Sequence, residues 1–152
     1  MTSQNILNTI GNTSLVKINK LNKNNNVNIF AKIEGVNPGG SIKDRVALKM
    51  IDQAIIDGKF NKDKIIIEAT SGNTGIALAM IAQLLGLDIE LVLPENSTKE
   101  RVQTMRAYGA KVTLTPADVG ILGSRDYADK KVNEEGYTML NKLGNEENWK
   151  KH

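Results

Sequence analysis

The feature that most constrains this 152-residue chain is a repeated phrase: a short apolar run, a stretch of helical periodicity, then a glycine. The apolar runs IIIE (65–68), IELVL (89–93) and KVTL (111–114) read as strands. The stretches 44–57, 73–85, 98–108 and 124–135 read as amphipathic helices, closed in turn by Gly58, Gly86, Gly109 and Gly136. A glycine at that place supplies the left-handed residue that ends a helix at little steric cost. Strands alternating with helices in such short units require right-handed crossovers, and hence a parallel sheet. The expected fold class is α/β, a parallel sheet flanked by helices, and ligands in such sheets sit beyond the carboxyl ends of the strands. Before the first unit, VNIFAKIE (27–34) reads as a further strand after the exposed, Asn- and Lys-rich turn NKLNKNNNVN, and Ser97 with Glu100 makes a capping box for the helix at 98.

Composition removes several kinds of chemistry. With no cysteine there is no disulfide, thiolate metal site or cysteine nucleophile. His152 is the only histidine, so no His-based triad or His-rich metal site can be built, and no metal site is expected. A net charge of +3 from scattered lysines, with 4% aromatic residues, makes neither a basic footprint nor a stacking platform for nucleic acid. The apolar runs are too short to span a membrane, and the start MTSQNILNTIGNT has no secretory pattern, so a cytoplasmic protein is expected. The length suits one domain, and the polar tail NKLGNEENWKKH reads as cut rather than closed. Lysine, hydroxyls, amides and backbone are left to carry the chemistry.

Two strand-to-helix loops hold such groups. In TSGNTG, the small residues Thr70, Ser71, Gly72, Asn73 and Thr74 converge where the helix at 73 begins, and backbone N–H groups at a helix N-terminus form an anion site. Composition alone does not separate that reading from a tight turn with a capped helix. In NPGGSIKDR, Lys43 falls at the start of the helix at 44, where the positive end of the helix dipole disfavours an ammonium group; such a position suits an amine nucleophile. A solvated lysine balanced by its neighbour Asp44 fits the same pattern. Neither loop is a dinucleotide fingerprint or a Walker A loop.

Taken in order and at these separations, IGNTSLVKI, NPGGSIKDR and EATSGNTGIALA resemble the O-acetylserine sulfhydrylase (cysteine synthase) and cystathionine β-synthase family of fold-type II pyridoxal-phosphate (PLP) enzymes. The segment PENSTKERVQTMRAYGAKVTLTPADVGILGS continues the likeness, so it spans nearly the whole chain. The resemblance implies an incomplete tryptophan synthase β-like fold, with residues 1–42 belonging to a large PLP domain, 43–145 forming a small substrate-closing domain, and 146–152 a truncated connection. It implies that Lys43 holds pyridoxal 5'-phosphate covalently and then moves the Cα proton as general base. Asn73 would hydrogen-bond the cofactor's ring hydroxyl, and Thr70, Ser71, Gly72, Asn73 and Thr74 would grip the amino-acid carboxylate. The implied reaction is β-elimination from a serine derivative followed by addition of a nucleophile such as sulfide, in a homodimer. The family's glycine-threonine phosphate cup is expected in the missing C-terminal half, without which this chain should hold the cofactor poorly.

The family carries proline where Ser14 and Ala69 stand, which bears on loop stiffness. Near Leu140, where sulfhydrylases show a Gln-Phe pair, this chain has Lys142 and Leu143. That departure raises a second reading, β-elimination or replacement of cysteine's own thiol with release of hydrogen sulfide. A third reading is a non-catalytic module that binds a partner's C-terminal peptide, as cysteine synthase binds serine acetyltransferase.

Overall fold

The structure is a computed structural model that describes residues 5–59 and 64–140. Its elements follow the alternation. A short hairpin, β1 (Leu15–Lys17) and β2 (Phe30–Lys32), precedes α1 (Lys43–Ile56), β3 (Ile66–Ala69), α2 (Asn73–Leu85), β4 (Ile89–Pro94), α3 (Lys99–Ala107), β5 (Lys111–Thr115), α4 (Gly120–Glu135) and β6 (Thr138–Met139). Strands β3 to β6 form one four-stranded sheet in the order β5-β4-β3-β6, with every pair parallel. The hairpin makes a separate antiparallel sheet in which Leu15, Val16 and Lys17 face Lys32, Ala31 and Phe30.

Both faces of the large sheet are covered, which is why β4 is buried along its whole length and is apolar at every position but Glu90. Side chains alternate across a strand. Ile66 therefore packs with Leu91, Leu93, Met50, Ile51, Leu78 and Ile81 on the face covered by α1 and α2, while Ile67 packs with Val92 and Ala128 under α4. The chain moves outward from β3 through β4 to β5 and then returns on the other face to place β6 beside β3. That reversal opens a crevice at the carboxyl end of β3, the switch point of the sheet.

The expected elements are present, and the four closing glycines all have positive φ: 66° at Gly58, 66° at Gly86, 84° at Gly109 and 72° at Gly136. Three expectations are corrected, and one strand is added. The capping box does not form: Thr98, extended at φ −62° and ψ 137°, is the N-cap of α3 with no side-chain cap bond, and Ser97 is held in the preceding turn by its amide donating to Pro94 O at 2.9 Å. The strand expected over 27–34 shrinks to three residues because its partner β1 is only three residues long. Helix α4 begins at Gly120 rather than Ser124. Its first turn carries Ile121 and Leu122 toward a cavity instead of the core, so the apolar periodicity starts late. Strand β6, two residues long, gives no pattern to read. Among the described residues no helix is long and apolar enough to cross a membrane.

Candidate active site

Strand β3 delivers the TSGNTG loop to the crevice. Thr70 is buried and its amide donates to Val92 O at 3.0 Å, continuing the β3–β4 pairing one residue beyond the strand. Gly72 then takes an extended conformation as the N-cap of α2, and no side chain caps that terminus. The amide of Gly75 donates to Gly72 O at 2.9 Å, but the start of the helix keeps N–H groups with no side-chain acceptor, as an anion site needs. Thr74 is buried beside Thr70, whereas Asn73 is exposed. Gly75 is required for packing: a Cβ there would stand 2.7 Å from Met105 Cε and 2.9 Å from Thr70 Cγ2.

Helix α1 begins at Lys43, whose amide donates to Ser41 Oγ at 3.1 Å. The simple pairing of Lys43 with Asp44 is corrected here. Asp44 is fully buried and turns away to accept the amide of Gly39, and burial pushes its carboxyl above the usual range despite that bond. Lys43 lines the crevice instead.

All six residues singled out in the sequence, Lys43, Thr70, Ser71, Gly72, Asn73 and Thr74, line one cavity of about 520 Å³. The structure adds residues that sequence reasoning missed. Arg101 from α3 donates to Ser71 O at 3.4 Å, Arg125 from α4 reaches the same cavity, and Glu68, Ile121, Leu122 and Met139 complete it. A rule would have found most of them: Arg101 and Arg125 follow the loops after β4 and β5, which in a parallel sheet lie at the same end as the TSGNTG loop. With Lys43, Arg101 and Arg125 against Glu68, the cavity is rich in cations and suits a small carboxylate substrate. Lys142 and Leu143 lie outside the described residues. Among the described residues no group of three or more His, Cys, Asp or Glu could hold a metal ion.

The family described as pyridoxal-phosphate dependent enzyme matches residues 6–152. The chain belongs to that family. It is 46% identical over 140 residues to cysteine synthase B of Escherichia coli (strain K12), an alignment covering 92% of this chain and 46% of the relative. Among solved structures, it is similar to cysteine synthase from Entamoeba histolytica (TM-score 0.92, 35% identity, 97% of this chain and 45% of that one). It is also similar to a hydrogen sulfide-producing enzyme from Fusobacterium nucleatum (TM-score 0.84, 44% identity, 93% and 47%). The chain spans a little under half the length of these relatives. The fold is that of fold-type II PLP enzymes, present here in part.

The donors present fit one end of the cofactor. A lysine amine and an asparagine amide share a cavity with an uncapped helix N-terminus, which suits an aldehyde-bearing ring and the carboxylate of an amino acid. The sequence holds no second glycine-rich loop to take the phosphate.

Proposed function

We propose that this chain is the N-terminal portion of a PLP-dependent β-replacement enzyme, a cysteine synthase that converts O-acetylserine and sulfide to cysteine and acetate. The observation that carries the reading is the convergence of Lys43 and the uncapped N-terminus of α2 on one cavity. When bound, PLP supplies the electron sink that stabilises negative charge at the substrate's Cα. Lys43 is the residue that would hold the cofactor by its amine, and that amine, once free, would take the Cα proton of the substrate as acetate leaves from Cβ. The N–H groups and hydroxyls of residues 70–74 bind the substrate carboxylate and aim the Cα–H bond at Lys43. Asn73, exposed in the cavity, would donate to or accept from the ring hydroxyl.

Residues 1–42 would join a large PLP domain, and the hairpin exposes Leu15, Val16 and Phe30, apolar side chains such a domain would cover. Residues 43–145 form the small domain that closes on substrate. A cytoplasmic homodimer, with the peptide of a serine acetyltransferase competing for the carboxylate loop, completes the proposal.

The test uses the full-length protein. Cysteine formation from O-acetylserine and sulfide is compared with sulfide release from cysteine. Dominant formation is expected; dominant release would replace the reading with the hydrogen sulfide-producing alternative, which likeness to the Fusobacterium enzyme favours. A protein that stays colourless with added PLP would leave only the peptide-binding module, and titration with an acidic C-terminal peptide then decides it.

A further inference from the structure

We propose that Asp44, Arg45 and Glu34 are positioning residues that set the rotation of the first turn of α1, so that the Lys43 amine is held in the cavity. The inference rests on the reading of Lys43 as the cofactor lysine.

Consecutive residues on a helix point about 100° apart, so fixing two neighbours in different directions fixes the third. Arg45 is fixed by a two-pronged bond to Glu34, Nε to Oε2 at 2.7 Å and Nη2 to Oε1 at 2.9 Å. Thr13 completes the triangle, donating to Glu34 Oε1 at 2.6 Å and accepting from Arg45 Nη2 at 3.1 Å. The same carboxylate reaches the start of the lysine loop: Asn37 Nδ2 donates to Glu34 Oε2 at 2.9 Å and to Glu34 O at 2.8 Å, while Asn37 Oδ1 accepts the amide of Gly11 at 2.8 Å. Arg45 and Asn37, on either side of Lys43, are thus tied to one carboxylate. Bonds from Arg45, then Thr13, hold the Glu34 carboxyl at about 2, so it stays ionised near neutral pH.

Asp44 fixes the second direction. Its Oδ2 accepts the amide of Gly39, and a Cβ at Gly39 would stand 2.5 Å from Oδ1, so the loop closes against the carboxylate with no room for a side chain. The amide of Gly40 donates to Asn37 O at 2.8 Å, and Gly40 has φ 81°. The loop from Asn37 to Lys43 is therefore held directly by Asp44 at Gly39, and by Arg45 through the Glu34 carboxylate that Asn37 shares. The lysine itself is left facing the cavity. This gives the sequence SIKDR a physical meaning: one residue to react and two to hold it. Arginine is required at 45 because only its planar fork spans both carboxylate oxygens.

The test uses full-length Arg45→Lys, Asp44→Asn and Thr13→Val, with Glu90→Gln as a control. Glu90 lies near the amino end of β4 on the α4 face, away from the cavity, and its loss lowers the melting temperature without touching the loop. Three readouts are taken: melting temperature, the fraction of Lys43 that carries PLP after borohydride reduction and peptide mass spectrometry, and kcat against KM. Arg45→Lys keeps the charge and loses the fork; it is expected to lower both Lys43 labelling and kcat by about 10- to 100-fold, with KM moving less. Asp44→Asn is expected to act in the same direction. Thr13→Val, which removes one hydroxyl and no charge, is expected to show the same pattern several-fold smaller in a folded protein. Glu90→Gln should lower melting temperature and leave labelling and kcat as in wild type. If Arg45→Lys and Thr13→Val lose stability but label Lys43 and turn over like wild type, the positioning role is overturned while the function stands. If wild-type Lys43 is not labelled at all, both readings fall together.

Discussion

The role proposed for Lys43 rests on its surroundings rather than on its own type. Its side chain lies outside the core, so Lys43→Ala is expected to leave the melting temperature of the full-length protein nearly unchanged, alanine being a good helix former. The same substitution is expected to lower β-replacement by about 100- to 10,000-fold, the usual contribution of a positioned acid-base group. Thermal melts and steady-state kinetics check both. Ser124 is a contrasting residue. It is fully buried, 2.7 Å from the Thr115 hydroxyl, and ties α4 to β5. Ser124→Ala is expected to cost about 1–3 kcal/mol, the penalty for loosening a buried polar pair, with little effect on kcat. Denaturant melts and kinetics together separate the two residues. Of the residue-scale facts, Lys43 and the 70–74 loop were legible from their place at helix starts; the Thr115–Ser124 pair was not, because nothing local marks two hydroxyls that meet across strand and helix.

The elements were legible to the extent that their signals are local. The glycines at 58, 86, 109 and 136 act on the turn they close, and each has the expected positive φ. Capping failed at Ser97 because the turn after Pro94, not the Ser-x-x-Glu spacing, decides which residue sits at the helix entry. At element scale Gly75 supports a prediction. Helices α2 and α3 approach closely there, with Met105 and Thr70 against the missing Cβ. Gly75→Ala is expected to cost about 1–3 kcal/mol by overpacking, and to raise KM for the amino-acid substrate because Thr70 is displaced. A rise in KM without any stability loss would contradict this account. On the α4 face, burial pushes the Glu90 carboxyl up, but bonds from Lys111 at 2.8 Å and Thr113 at 2.7 Å outweigh it and hold the group below its usual range. Lys111→Met is expected to lower stability by about 1–3 kcal/mol, read by chemical denaturation, since it leaves a buried carboxylate with one donor fewer.

For the whole molecule the pH dependence of stability follows from Glu34. Its folded-state carboxyl lies at about 2 against an ordinary 4.5, so its contribution is complete above the ordinary value and is lost as the pH falls from about 4.5 toward about 2. Thermal melts of the full-length protein are expected to show wild type above Glu34→Gln at neutral pH, with the gap closing through that window. A gap that persists below it would show that the carboxylate charge is not what joins Thr13, Asn37 and Arg45. The alternation of apolar runs with glycine-closed helices by itself determined that the chain makes a parallel α/β sheet, and the two strand-to-helix loops determined which backbone lines the cavity, because periodicity, caps and left-handed turns are settled within a few residues. Only the tertiary structure decided that Met139 shares the cavity with Lys43, and that Asp44 serves Gly39 rather than the lysine. Those outcomes depend on β6 returning beside β3 and on Arg45 finding Thr13 across 32 positions of sequence, pairings made by long-range packing that leave no trace in local pattern.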